Sequence, residues 1–162
     1  MSVEIKTIGV IGAGQMGNGI AHVAAVSGFT VKLIDVSADA LENAIATIQK
    51  NLDRQVRKEK ISGEDRDTAM ALIETSTAMS ALASADLVIE AATENEEIKK
   101  MIFKQVCDVV GPDCLLASNT SSISITRLAA STDRPARFIG MHFMNPVPVM
   151  KLVELIRGIA TD

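Results

Sequence analysis

The chain has no tryptophan, no tyrosine and only four phenylalanines in 162 residues. It therefore lacks the aromatic platforms on which single-stranded nucleic acids stack. Cysteine is almost as scarce: Cys107 and Cys114 make neither a disulfide framework nor a zinc pattern. The first is expected in a helix and the second at the start of a strand, both reduced, buried and inert, and no metal is expected. A basic excess is missing too. The formal net charge of −4 argues against general affinity for nucleic acid and leaves only a local basic patch to serve an anionic ligand. No apolar run approaches membrane-spanning length, and no charged leader with an apolar stretch precedes the first hydrophobic segment. The simplest expectation is a cytoplasmic protein without membrane contact. The eight methionines read as core filler rather than as a soft-metal site. Repeats, low-complexity tracts and linkers are absent, so one domain with a sizeable core is expected.

What the chain does have is concentrated in residues 5–35. Ile8, Val10 and Ile11 form a β-branched run suited to a strand buried on both faces. Gly12-Ala13-Gly14-Gln15-Met16-Gly17 follows directly and matches G-x-G-x-x-G. In that pattern Gly12 permits the tight turn, Gly14 lets the backbone approach a pyrophosphate, and Gly17 lets helix and strand pack closely. A helix from about Gln15 to Ser27 points its free N–H groups at the phosphates, Gly28 caps it, and Phe29–Ile34 reads as a second strand. Asp35 stands 18 residues beyond Gly17, close to the offset of the carboxylate that accepts from the adenosine ribose hydroxyls. A carboxylate there repels a 2′-phosphate, so NAD is favoured over NADP.

The remaining chain alternates helix and strand, which predicts an α/β, doubly wound Rossmann-type sheet, mostly parallel, with a helical excursion after the second strand. The excursion comprises a helix from about Ala38 to Lys60, capped by Ser37, and a second from Glu64 to Leu72. Its end is basic, with Arg54, Arg57, Lys58 and Lys60, readable as a solvated face or as a clamp for an anionic handle. Strands are expected at Ile73–Ser76, Leu87–Ala92, Cys114–Ala117, Phe138–His142 and Lys151–Ile156, with a helix from Glu94 to about Val110 and short ones at Met79–Ser84 and Ser124–Ala130. The polar cluster Ser118-Asn119-Thr120-Ser121-Ser122 falls at the carboxyl end of a strand, where open α/β sheets bind ligands.

Two histidines are present. His22 lies inside the first helix and reads as a packing or surface residue. His142 ends a strand before a proline-rich turn, and Glu154 lies in the strand that follows. A hairpin centred near Pro148 would place 142 and 154 opposite each other, about 5 Å apart at Cβ. A carboxylate there would orient the imidazole, hold its tautomer and strengthen it as a base, as hydroxyl oxidation requires. A structural histidine and an exposed glutamate are the plain alternative, just as Ser121 could be a helix cap and Asn145 a turn residue.

The segments GVIGAGQMGNGIA, LVIEAATEN, SNTSSISIT and FIGMHFMNPVPVMKLVELI together resemble the L-3-hydroxyacyl-CoA dehydrogenase family, most of all its bacterial 3-hydroxybutyryl-CoA members. The resemblance covers the whole chain. It implies oxidation of a (3S)-3-hydroxyacyl-CoA to the 3-ketoacyl-CoA with NAD⁺ as acceptor. It also implies roles: His142 as base, Glu154 as its partner, and Ser121 on the substrate near the reacting hydroxyl. Asn145 would contact cofactor and active site, and Glu94 and Lys99 would lie near the nicotinamide end. The cofactor set is thus Gly12, Gly14, Gln15, Met16, Gly17, Asp35, Glu94, Lys99, Ser121 and Asn145, and the excursion is expected to touch CoA. Family members continue into a helical domain that makes most of a homodimer contact and closes over the acyl chain. Residues 1–162 are expected to be the cofactor domain alone, poorly active in isolation. A dehydrogenase for a free 3-hydroxy acid or sugar acid, or a non-catalytic NAD-binding module, are the alternatives.

Overall fold

The computed structural model describes residues 3–162. Among these, seven strands form one sheet in the order β3-β2-β1-β4-β5-β6-β7. They are β1 (Thr7–Ile11), β2 (Thr30–Ile34), β3 (Ile73–Ser76), β4 (Leu87–Glu90), β5 (Leu115–Ser118), β6 (Phe138–Phe143) and β7 (Val153–Arg157). All pair in parallel except β7, which runs antiparallel to β6. The order reverses between β1 and β4, the switch point at which such sheets open a crevice at their carboxyl edge.

Helices cover both faces. On one side α1 (Gln15–Val26), α2 (Ala38–Arg57) and α3 (Gly63–Leu72) pack Ile20, Ala21, Ile48 and Leu52 against Val10, Val31 and Leu33. On the other, α4 (Glu96–Cys107) and α5 (Ile125–Ala130) pack Phe103, Val106 and Leu128 against Ile11, Ile34, Val88 and Leu116. Phe103 meets Phe138 edge to face at 4.8 Å. The central strands β1, β4 and β5 are buried on both faces, as a parallel sheet between two helical layers demands, whereas the edge strands β3 and β7 are largely open.

Several expected boundaries move, each for a local reason. Helix α2 stops at Arg57 rather than Lys60, because Glu59 turns left-handed (φ 57°). The N–H groups of Glu59 and Lys60 then close onto the carbonyls of Val56 and Gln55, a Schellman ending made without glycine. Strand β4 ends at Glu90 rather than Ala92, since the Glu90 carboxylate takes the Ala92 N–H at 2.8 Å and bends the chain. Helix α4 ends at Cys107 rather than Val110, its carbonyls closing into a tight turn at Val109 and Val110. Strand β7 starts at Val153 rather than Lys151, because Val149 and Met150 both donate to the carbonyl of Pro146 and extend the turn. The segment at Met79–Leu82 is a single 3₁₀ turn. Cys114 is buried as expected, whereas Cys107 at the end of α4 is only half-buried.

Candidate active site

The parallel strands end on one edge, and the glycine turn lies at its centre. Gly12 has φ 103°, a left-handed conformation that L side chains resist, and a Cβ there would lie 2.7 Å from the Ala91 carbonyl oxygen. At Gly17 a Cβ would come within 1.6 Å of the Gly12 oxygen, so α1 can begin against the turn only because that atom is missing. Gly14, the N-cap residue, has open space where its Cβ would be. The turn thus leaves room for a ligand group at the start of α1, where free N–H groups favour phosphate.

Asp35 follows β2 at the same edge. Its two carboxylate oxygens accept from Ala13 N and Ser37 N, each at 2.9 Å. The residue read from sequence as a ribose contact therefore also fastens the glycine turn. Beside it is a cavity of about 460 Å³, lined by Gly12, Asp35, Val36, Met79, Ile98 and Ile102 among others, with no cationic side chain in its wall. An apolar slot bearing one carboxylate, next to a turn open to phosphate, fits adenosine and its ribose diol and offers nothing to a 2′-phosphate.

A second cavity, of about 180 Å³, opens past the ends of β4 and β5 and is lined by Met16, Ala92, Thr93, Glu94, Lys99 and Asn119. Glu94 is exposed, and its carboxylate accepts from Thr120 Oγ1 (3.0 Å) and Ser122 Oγ (3.3 Å), tying together the turns after β4 and β5. Ser121 lies between those two residues, exposed, with no side-chain hydrogen bond among the described residues. Lys99 borders the cavity, but its ammonium is fully buried, 2.5 Å from Glu90 Oε1. Ser118 Oγ donates to the same oxygen at 2.8 Å. The sequence reading of Lys99 as a nicotinamide-side contact missed this ion pair, and it missed Glu90 altogether.

At the far end of the sheet His142 and Glu154 stand directly opposite each other across β6 and β7. Nδ1 of His142 is 3.3 Å from Glu154 Oε2. A carboxylate can only accept, so in the neutral ring Nδ1 carries the hydrogen and Nε2 keeps its lone pair. The histidine is 26% exposed and the glutamate 53%, so the pair is reachable from solvent. Asn145, three residues on, accepts from Gln15 Nε2 at 3.2 Å, which latches the turn after β6 to the start of α1. The excursion completes the surroundings: Arg54, Lys58 and Lys60 line a cleft with Pro146, Pro148 and Val149 of that same turn. Arg57 does not join them. His22 is buried in α1 with its Nε2 3.0 Å from Gln55 Oε1, and its burial pushes the pKa below the ordinary 6.5.

Residues 7–162 match the family described as 3-hydroxyacyl-CoA dehydrogenase, NAD binding domain. A 3-hydroxybutyryl-CoA dehydrogenase of Bradyrhizobium diazoefficiens is 61% identical over 162 residues, covering 100% of this chain and 55% of the relative. A 3-hydroxyadipyl-CoA dehydrogenase of Escherichia coli K12 is 48% identical over 161 residues, 99% of this chain and 34% of the relative. The crystal structure of (S)-3-hydroxybutyryl-CoA dehydrogenase from Ralstonia eutropha superposes with a TM-score of 0.95 at 54% identity, covering 98% of this chain and 56% of that one. The chain thus spans about half the length of such relatives, or less. With the glycine turn, the carboxylate slot and the sheet order all in agreement, the chain belongs to the family of 3-hydroxyacyl-CoA dehydrogenase NAD-binding domains.

Proposed function

We propose that this chain serves the NAD-dependent oxidation of a (3S)-3-hydroxyacyl-CoA, 3-hydroxybutyryl-CoA foremost, to the 3-ketoacyl-CoA. The observation that carries this reading is the His142–Glu154 pair, set at the ligand-binding edge of a sheet whose centre holds a dinucleotide turn. Binding a dinucleotide requires no base, and an oriented imidazole supplies one.

Gly12, Gly14, Gln15, Met16, Gly17 and Asp35 would hold the pyrophosphate and adenosine, with Glu94, Lys99, Ser121 and Asn145 around the nicotinamide end. NAD⁺, when bound, supplies the acceptor for the hydride leaving the hydroxyl-bearing carbon. The chain's own residues handle the proton. Glu154 holds Nδ1–H, so the Nε2 lone pair takes the hydroxyl proton, and the carboxylate then stabilises the imidazolium. Ser121, exposed and unpaired, is free to hydrogen-bond the substrate near the reacting oxygen. Arg54, Lys58 and Lys60 give the anionic CoA a cationic cleft that shares a turn with the catalytic strand. The length by which relatives exceed this chain would supply the helical part that covers the acyl group and pairs two subunits.

NADH formation from 3-hydroxybutyryl-CoA, measured with and without any natural continuation of the chain, tests the reading. His142→Ala should lower kcat by roughly 10²–10⁴ with little change in NAD⁺ affinity, and Glu154→Gln should lower it less. Near-normal turnover in His142→Ala would return the histidine to a structural role. Turnover of free 3-hydroxybutyrate, indifferent to added CoA, would favour a hydroxy-acid dehydrogenase instead.

A further inference from the structure

The ladder between β5 and β6 ends early. Its last partners are Ser118 and Gly140, yet β6 continues through Met141, His142 and Phe143, paired on its other side with β7 alone. The catalytic histidine therefore stands where the sheet has split, on a two-stranded edge ribbon whose outer strand is exposed at Glu154, Leu155, Ile156 and Arg157. Such a ribbon is free to twist as a unit unless something holds its inner side.

One side chain does so. Asn119, the first residue after β5, accepts from Phe143 N at 2.8 Å, taking the place of the missing ladder bond. Its own N–H donates to the Glu90 carbonyl at 2.9 Å, so Asn119 is fixed to the central strand. There the Glu90 carboxylate is itself held by Lys99, Ser118 and the Ala92 N–H. Asn119 also lines the cavity with Met16, Glu94 and Lys99. It thus joins the cavity expected to receive the nicotinamide to the backbone next to His142.

We infer that Asn119 is a positioning residue: it sets where the intact His142–Glu154 pair stands relative to the bound cofactor. The inference rests on the dehydrogenase reading for its kinetic consequence, but not for the bond itself. Without the Asn119 acceptor His142 and Glu154 would move together, so the pair would survive while its location was lost. Misplacement by about 1 Å costs on the order of 10²-fold in such reactions.

The test compares Asn119→Ala, which removes the acceptor, with Asn119→Asp, which keeps one at the same reach. Two readouts need no turnover: hydrogen exchange of the Phe143 amide in residues 1–162, and the shift of the His142 ring signals on adding NAD⁺. In Asn119→Ala the amide should exchange at least about tenfold faster, the scale of one lost hydrogen bond, and the ring response to NAD⁺ should shrink. Both should return in Asn119→Asp. In the 3-hydroxybutyryl-CoA assay kcat should fall by roughly 10- to 100-fold in Asn119→Ala and largely recover in Asn119→Asp, with KM for NAD⁺ within about twofold throughout. Should Asn119→Ala fail to fold, Asn119→Ser, whose oxygen is too short to reach, takes its place. Unchanged Phe143 exchange would overturn the inference. So would equal loss of NAD⁺ affinity in the Ala and Asp variants, which would make Asn119 a direct cofactor contact. If wild type assayed with any natural continuation of the chain lacks turnover, the dehydrogenase reading fails, while the amide and ring responses still decide the positioning role.

Discussion

Two alanine substitutions three residues apart in the same motif, at Gly14 and Gly17, should both weaken NAD⁺ binding but differ in their effect on stability. At Gly17 the new Cβ would lie 1.6 Å from the Gly12 carbonyl oxygen and 2.7 Å from its carbon. Restoring the 3.0 Å that real Cβ atoms keep means moving α1 away from the turn by roughly 1.4 Å. The obstacle is backbone on both sides, so no side chain can yield, and the cost belongs at the top of the overpacking range, about 3 kcal/mol. For a chain of 162 residues that corresponds to a Tm lower by roughly 6–12 °C. NAD⁺ affinity should fall by at least about 10²-fold as the start of α1 leaves the phosphate position. At Gly14 no atom lies within 4 Å of the new Cβ, and φ −71°, ψ −166° is extended backbone open to alanine. Stability should change by less than about 1 kcal/mol, the scale of an N-cap exchange, while NAD⁺ affinity drops about 30-fold or more because the methyl occupies the approach of the pyrophosphate. Thermal melts and calorimetric titration of both variants decide it. Normal NAD⁺ binding by Gly14→Ala would refute the placement of the cofactor on this turn, and an undiminished Tm in Gly17→Ala would refute the packing argument.

NAD⁺ should bind at least about tenfold more tightly than NADP⁺, or roughly 1.4 kcal/mol; Asp35→Ala should narrow the gap mainly by weakening NAD⁺, and equal dissociation constants in wild type would sink the assignment. Because Asp35 also holds Ala13 N and Ser37 N, the same variant should melt a few degrees lower, on the scale of two lost hydrogen bonds. Lys99→Met leaves the Glu90 carboxylate buried without its cation and should cost about 3–5 kcal/mol, whereas Lys99→Met with Glu90→Gln should recover much of it; a mild single variant in urea unfolding would argue against the pair. His22 is kept neutral by burial, with the Gln55 hydrogen bond only partly opposing. As pH falls through 6.5 the unfolded chain binds a proton that the folded chain does not, so stability should decrease by up to about 1.4 kcal/mol per pH unit until the lowered folded pKa is reached. Above 6.5 this contribution is constant, and His22→Gln should flatten the acid-side slope of the urea midpoint; an unchanged slope would refute the assignment.

The parts of the molecule legible from sequence are those where a local pattern settles the geometry. A β-branched run, glycines at fixed offsets and a carboxylate after the next strand name the dinucleotide turn without tertiary information. The opposition of 142 and 154 followed from counting residues either side of a proline turn, since side-chain direction in a hairpin has period two. The structural partner of Lys99 is legible from its helix rather than from its distance to a motif. Lys99, Phe103 and Val106 share the buried face of α4, spaced as one helical stripe. Glu90 closes a strand whose four residues are all buried. Each is a charge in an apolar pattern, and buried charges are paired; the two anomalies together predict the ion pair. Asn119 carried no such signal, because its role depends on where the β5–β6 ladder stops.

On the proposed dehydrogenase reading, the antiparallel strand lets one edge of the sheet carry both the cofactor turn and the base. Parallel strands deliver their carboxyl ends to a common edge, which is how Gly12, Asp35, Glu94 and Ser121 come to stand along that edge from widely separated segments. Parallel neighbours, however, need a long crossover between them, so a base and its orienting carboxylate taken from two strand ends would depend on a helix lying between. Reversing direction after β6 removes that dependence: twelve residues suffice to bring Glu154 against His142 at 3.3 Å. The turn that makes the reversal is also used twice more, since Asn145 meets Gln15 of the glycine turn and Pro146, Pro148 and Val149 form one wall of the basic cleft. Val147 packs so closely on α1 that a Cβ on Gly19 would lie 2.8 Å from it. The hairpin is therefore docked on the cofactor helix at its turn and tied to β5 by Asn119 at its inner strand. Together these two attachments hold the strand carrying His142 to β5 and to the helix that follows the glycine turn, leaving the outer strand exposed.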